Sequence, residues 1–202
     1  MNWLNQKSSL DKRYKIEMRK REYKTLFLDR DGVINFRLID DYVKTWDEFK
    51  FEEGALEAIK IFTKHFDTIV VVTNQQGVAK GLMSEEDLIS IHNKMKKEIE
   101  ENGARVDQIY YCTAFRHEHH FCRKPSVGMG LRARKEFPII RFKDSVMVGD
   151  SISDMEFGKK LNMQTVFIST SLNKTRKNYR LINKRFDSLI DYAKYLENEK
   201  NN

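Results

Sequence analysis

Five short, continuous apolar runs constrain this chain more than any other feature. "TLFL" (25–28), "TIVVV" (68–72), "QIYYC" (108–112), "SVMV" (145–148) and "TVFI" (165–168) do not alternate apolar with polar residues. A strand buried on both faces reads this way, and such strands belong to parallel sheets covered by helices on either side. Helical periods fill the gaps between the runs. Ala55, Ile59, Phe62 and Phe66 recur at helical spacing after Gly54. "SEEDLISIHNKMKKEIEENG" opens with Ser84 as N-cap and Asp87 in the capping-box position, then sets Leu88, Ile91, Met95 and Ile99 on one face and meets Gly103 as its stop. Further helices are predicted near 128–136, 153–161 and 186–197. The alternation predicts an α/β fold with a Rossmann-like, doubly wound, mainly parallel sheet.

At 202 residues, 40% hydrophobic and 33% charged, the chain has the material for one ordinary domain with a real core. No apolar run reaches the length of a membrane span, and the first residues lack a signal-peptide core, so a cytoplasmic protein without membrane association is expected. The net charge of +7 invites a nucleic-acid reading, but its distribution argues against one. Residues 1–24 carry eight Lys/Arg against three Asp/Glu, and residues 171–202 eight against four, which leaves the stretch 25–170 slightly acidic. The expected organisation is a basic N-terminal arm, 1–24, and one domain over 25–202. Two cysteines, Cys112 and Cys122, argue against a disulfide framework, and the histidines around them point to metal.

In an open parallel sheet, ligands bind beyond the carboxyl ends of the strands. Four polar clusters fall there in this chain: "DRDG" after the first run, "TNQQGVAKG" after the second, "CRKPSVGMG" downstream of the third and "GDSISD" after the fourth. Asp29 and Asp31, joined by Asp150, offer hard oxygen ligands suited to Mg²⁺, which in turn neutralises them and admits a phosphate. One carboxylate can attack phosphorus to form an aspartyl-phosphate while the other moves a proton. Thr73 and Asn74 can hydrogen-bond phosphate oxygens, Lys124 brings the positive charge a phosphoryl transition state needs, and Arg123 offers a planar fork for a substrate oxygen or second phosphate. Alone, a DxDG segment is more often an acidic turn. Four clusters in this order behind successive strands make a site.

This set resembles the haloacid dehalogenase superfamily of aspartate-nucleophile phosphatases. The resemblance implies Asp29 as nucleophile, Asp31 as acid/base, Thr73 as the phosphate-binding hydroxyl, Lys124 as the lysine, and Asp150 with Asp154 as the terminal acidic motif. "FLDRDGVIN", "VVTNQQGVAKG", "IYYC", "CRKPSVGM" and "MVGDSISDM" are similar to the subfamily of D-glycero-D-manno-heptose 1,7-bisphosphate and histidinol-phosphate phosphatases, with the segments around "TNQQGVAKG" and "DYVKTWDEF" closer to the heptose enzymes. It implies a capless fold, a small phosphorylated sugar as substrate and a Mg²⁺-dependent phosphomonoesterase; a monomer is expected. Histidinol phosphate is the alternative substrate, and a nucleic-acid 3′-phosphatase or a non-catalytic binding protein are the alternative functions. Members of the subfamily carry a structural zinc loop. Here Cys112 and Cys122 match its outer ligands, Ala114 and His120 depart from it, and His117 or His119 could complete a Cys₂His₂ set for zinc; a remnant loop with solvated histidines is the other reading. Trp46 and Phe49 could line the site mouth or pack beneath a hairpin. Lys80 could face substrate or solvent, and His92 is assigned to the polar side of its helix.

Overall fold

The computed structural model describes residues 23–170 and 179–201, so the basic arm lies, but for its last two residues, outside them. The strands are β1 (Thr25–Leu28), β2 (Thr68–Asn74), β3 (Gln108–Cys112), β4 (Ser145–Gly149), β5 (Gln164–Ile168) and β6 (Lys184–Phe186). They form one sheet of order β3-β2-β1-β4-β5-β6, and every pairing is parallel. The α-helices among the described residues are α1 (Ala55–His65), α2 (Glu85–Glu101), α3 (Gly128–Glu136), α4 (Ile152–Lys160) and α5 (Leu189–Asn201). The expected doubly wound α/β architecture is therefore present, and no separate cap domain occurs among the described residues.

The continuous apolar runs have the meaning the sequence suggests. Successive strand residues point to opposite faces, so Leu26, Leu28, Ile69, Val71, Val146 and Val148 enter one core with α1, α2 and α5. Phe27, Val70, Val72 and Met147 enter a second core with Met129 and Ala133 of α3 and Phe157 of α4. Phe27 packs there between the rings of Phe142 and Phe157, each 6.4 Å away.

Helix ends follow their local signals. Asp87 donates its N–H to Ser84 Oγ (3.0 Å) and accepts the Ser84 N–H (3.0 Å), which closes the predicted capping box of α2. Gly103 follows the C-cap Asn102 with φ +73°, the left-handed turn that glycine accepts without strain. One boundary differs from expectation. Phe186, placed by its periodicity at the start of the last helix, instead ends β6 opposite Ile168, because the free edge of β5 takes a further strand before α5 begins. No helix among the described residues is long and apolar enough to cross a membrane.

The Ser84 box is exposed and lies outside the cleft described below. Ser84→Ala is expected to lower the free energy of unfolding by about 1 kcal/mol while leaving turnover unchanged, as measured by urea titration and a parallel phosphatase assay.

Candidate active site

The carboxyl ends of β1, β2 and β4 meet the 113–127 segment around a cleft of about 680 Å³. Asp29, Asp31, Thr73, Asn74, Arg123, Lys124 and Asp154 all line it, so the structure brings together most of the residues picked out from the sequence. Asp29 continues β1, its N–H bonded to Val148 O of β4 at 2.9 Å. Gly32 turns the chain just after it with φ +83°, and any Cβ there would lie 2.2 Å from Asp150 Oδ2. Both the turn and the close approach of Asp150 thus require glycine.

Lys124 is the centre of the charged site. Its Nζ is buried, 2.8 Å from Asp29 Oδ1 and 2.6 Å from Asp154 Oδ1, and donates to Val72 O at 2.7 Å. Its backbone is also gripped: Lys124 N donates to Asn74 Oδ1 (3.0 Å), and Asn74 Nδ2 donates to Lys124 O (3.1 Å). Asn74 therefore holds the lysine in place as well as lining the cleft. Asp154 is buried and closes the capping box of α4, its Oδ2 accepting from Ser151 N at 3.0 Å.

The carboxylate cluster around Lys124 holds more negative than positive charge, three acids facing one ammonium. Burial, then repulsion from Asp154, raises the Asp29 carboxyl well above the usual range, although Lys124 pulls the other way. Burial would deprotonate Lys124, but Asp154 and Asp29 outweigh it and raise its pKa. Asp29, Asp150 and Asp154 offer carboxylate oxygens that all lie within 4.8 Å of one another, a hard donor set that fits Mg²⁺.

Asp31 was expected among the metal ligands, and here the structure differs: its carboxylate is not in that cluster. Arg30, with a fully buried side chain, draws it away through Nη2 contacts at 2.9 and 3.1 Å and an Nε contact at 3.3 Å. Asn35 Nδ2 (3.0 Å) and Gln75 Nε2 (2.7 Å) also donate to Asp31. Burial pushes the Asp31 carboxyl up, but the Arg30 charge and these hydrogen bonds prevail, so its pKa is lowered. Asp154, named in the sequence only as part of the acidic motif, takes the place in the cluster assigned to Asp31.

The Cys/His loop is also corrected. Cys112 and Cys122 form a disulfide, their Cα atoms 5.5 Å apart, contrary to the expectation drawn from cysteine count. While that bond stands neither sulfur is a thiolate ligand, so the four-ligand zinc set is not assembled. His120 Nδ1 lies 2.9 Å from Cys122 Sγ, but His117 stacks on Phe115 and His119 lines the cleft. Trp46 and Phe49 stack on each other at 4.9 Å, with Phe49 in the core, so the packing reading holds for them. Lys80 is exposed and sits over the Tyr42 ring.

Three functional neighbours were missed. Arg37, on the loop after β1, pairs with Asp150 at 2.8 Å. Arg116 and Lys160 line the cleft, and no motif spacing marks any of the three. His92, assigned to the polar face of α2, is instead buried, its Nε2 3.0 Å from Arg30 Nη1. Its neighbour Ile91 lies on the buried face, so a one-residue step still reaches the flank of that face. Polarity alone misplaced it.

Fold and site are together those of a phosphoryl-transfer hydrolase on a Rossmann-like sheet. The HAD-hydrolase-like family model matches residues 121–192. A D-glycero-alpha-D-manno-heptose-1,7-bisphosphate 7-phosphatase of Mycobacterium bovis is 42% identical over 131 residues, 65% of this chain and 69% of that protein. A D-glycero-beta-D-manno-heptose-1,7-bisphosphate 7-phosphatase of Vibrio cholerae is 38% identical over 181 residues, 85% of this chain and 95% of that protein. Among solved structures, the D,D-heptose 1,7-bisphosphate phosphatase of B. bronchiseptica, complexed with magnesium and phosphate, superposes with a TM-score of 0.77 at 30% identity, covering 87% of this chain and 99% of that one. The chain belongs to the haloacid dehalogenase superfamily of phosphatases, in the subfamily that holds the heptose bisphosphate phosphatases. Phosphatases of this superfamily use Mg²⁺.

Burial, then the Arg30 charge, pushes the His92 imidazole down to about 3, against a slight opposing pull from Asp31. Below the ordinary histidine pKa the unfolded chain takes up a proton that the folded chain refuses. Stability is therefore full above about pH 6.5 and falls as pH drops toward 3, by at most about 1.4 kcal/mol per pH unit from this group. Urea unfolding of the wild type and His92→Gln across this range is expected to show a shallower slope for the variant. Equal slopes would contradict the assignment.

Proposed function

We propose that this chain is a Mg²⁺-dependent phosphomonoesterase that removes the 7-phosphate of a D-glycero-D-manno-heptose 1,7-bisphosphate through an aspartyl-phosphate on Asp29. The observation that carries the reading is the charge distribution in the cleft. Beyond Lys124 and Arg37, which face the carboxylates, the basic side chains of Arg116, Arg123 and Lys160 line it, more positive charge than one phosphate group requires. A bisphosphate uses such a surplus; histidinol phosphate, with one phosphate and cationic nitrogens, does not.

The chemistry follows from the side chains. Both hydrogen-bonding contacts to the Asp29 carboxylate, from Arg30 N (2.7 Å) and Lys124 Nζ (2.8 Å), converge on Oδ1, which leaves Oδ2 to attack phosphorus. As the new O–P bond forms, the P–O bond to the sugar breaks, its electron pair goes to the departing oxygen, and Asp31 in its carboxylic acid form delivers its proton there. Water then attacks phosphorus, Asp31 accepts the proton, and cleavage of the Asp29–phosphate bond restores the carboxylate. Thr73 and the Asn74 backbone face the transferred phosphate, while Lys124 balances charge on the nucleophile. Asp29, Asp150 and Asp154 would hold Mg²⁺, which would supply the positive charge that lets two anions meet. Arg123 donates from Nη1 to Ala114 O at 3.0 Å, which fixes its guanidinium at the cleft wall for the second phosphate.

Phosphate release from the heptose bisphosphate should exceed that from histidinol phosphate and vanish on chelation of Mg²⁺, whereas a preference for histidinol phosphate would overturn the substrate. Asp29→Asn should lower kcat by at least about a thousandfold in folded protein, and full activity in it would sink the nucleophile assignment. Arg123→Ala should raise KM for the bisphosphate by about tenfold, with a smaller effect on monophosphates.

A further inference from the structure

Beneath Asp31 lies a buried polar network that the scheme above does not use. Arg30 is fully buried, and a guanidinium in that setting needs partners for its donors. Nε and Nη2 reach Asp31; Nη2 also donates to Gln75 Oε1 at 3.1 Å, and Nη1 donates to His92 Nε2 at 3.0 Å. Arginine has no acceptor, so this contact fixes His92 as a neutral ring with its proton on Nδ1. That Nδ1 is buried without a hydrogen-bond partner. A hydrocarbon side chain at this position on α2 would pack without such a penalty. The histidine is thus better explained by what its Nε2 does for Arg30 than by core packing. Gln75 completes the arrangement, donating to Asp31 Oδ2 at 2.7 Å and to Thr73 Oγ1 at 2.9 Å, so one amide ties the acid/base residue to the phosphate-binding hydroxyl.

The two aspartates consequently have separate supports. Asp29 is held by Lys124 and the Arg30 backbone, and Asp31 by the Arg30 side chain, which stands on His92 and Gln75. We propose that His92 is a positioning residue for proton transfer: by accepting from Arg30 Nη1 it fixes the guanidinium that orients the Asp31 carboxylate, and it acts on leaving-group protonation rather than on attack by Asp29. The inference rests on the reading of Asp31 as the acid/base group.

Leaving-group dependence separates this role from a merely structural one. Cleavage of p-nitrophenyl phosphate expels a stable phenolate that needs no proton, whereas phenyl phosphate gains more from an acid. The kcat/KM values for both esters, measured on one sample with Mg²⁺, give a ratio from which any loss of folded protein cancels. His92→Met fills the space and removes the acceptor; His92→Gln restores an acceptor. The expected result is that Asp31→Asn and His92→Met each lose about tenfold more activity on phenyl phosphate than on p-nitrophenyl phosphate, while His92→Gln keeps the wild-type ratio. If Asp31→Asn shows the discrimination and His92→Met slows both esters equally, the positioning role is overturned and the acid/base assignment stands. If Asp31→Asn shows none, that assignment fails and takes the inference with it. Should His92→Met not fold, His92→Leu, which likewise gives Arg30 Nη1 no nitrogen acceptor, is judged by the same ratio.

Discussion

The ammonium of Lys124 is the interaction on which the rest of this site depends. Two carboxylates, Asp29 and Asp154, lie against it in a region almost without solvent. Bringing three charges out of water costs several kcal/mol per ion, and their mutual attraction offsets this only where the geometry is good. One ammonium between two carboxylates leaves a negative remainder, so the arrangement is stable as far as a further positive charge can approach it. The half-exposed Arg37 guanidinium on Asp150 meets part of that demand from the loop after β1. The superfamily's use of a divalent cation is the same electrostatic requirement met from solution.

From this centre the unlike behaviour of Asp29 and Asp31 follows. They are one residue apart and chemically identical, yet their surroundings move their proton affinities in opposite directions. The residue between them makes the difference, since Arg30 gives its backbone N–H to Asp29 and its guanidinium to Asp31. One carboxylate is thereby committed to the lysine and the carboxylate cluster, the other to a separate cation. Repulsion between neighbouring acids is resolved by sending each to its own partner.

How much of this could be read from the chain depends on whether local pattern or three-dimensional approach decides a residue's place. The strands were legible because burial on both faces leaves uninterrupted apolar runs, and the capping box of α2 because its two partners are three residues apart. Thr73, Lys124 and Asp150 were legible because polar residues beyond the carboxyl ends of parallel strands converge whatever their separation in sequence. β6 was not, because "KRF" at the sheet edge carries charge and keeps partial exposure. The pairing of Arg37 with Asp150 spans more than a hundred residues without a motif, and the burial of His92 depends on the rotation of α2 against the sheet. Cysteine count likewise says nothing of where two Cβ atoms point, which is what joined Cys112 to Cys122.

That disulfide bears on the lysine itself. Cys112 ends β3 and Cys122 lies two residues before Lys124, so the bond closes the connection between the sheet and the lysine segment at a separation of ten residues. Asn74, at the end of β2, grips the Lys124 backbone from the neighbouring strand. The segment from 113 to 127 crosses the cleft edge with little regular structure, and such segments ordinarily sample many conformations. Here its last residues are tied covalently to β3, by paired hydrogen bonds to β2 and by ion pairs to the end of β1 and the first turn of α4. The ammonium is thus set in position by the surrounding elements, and a preorganised charge of this kind needs little reorganisation when an anion approaches it.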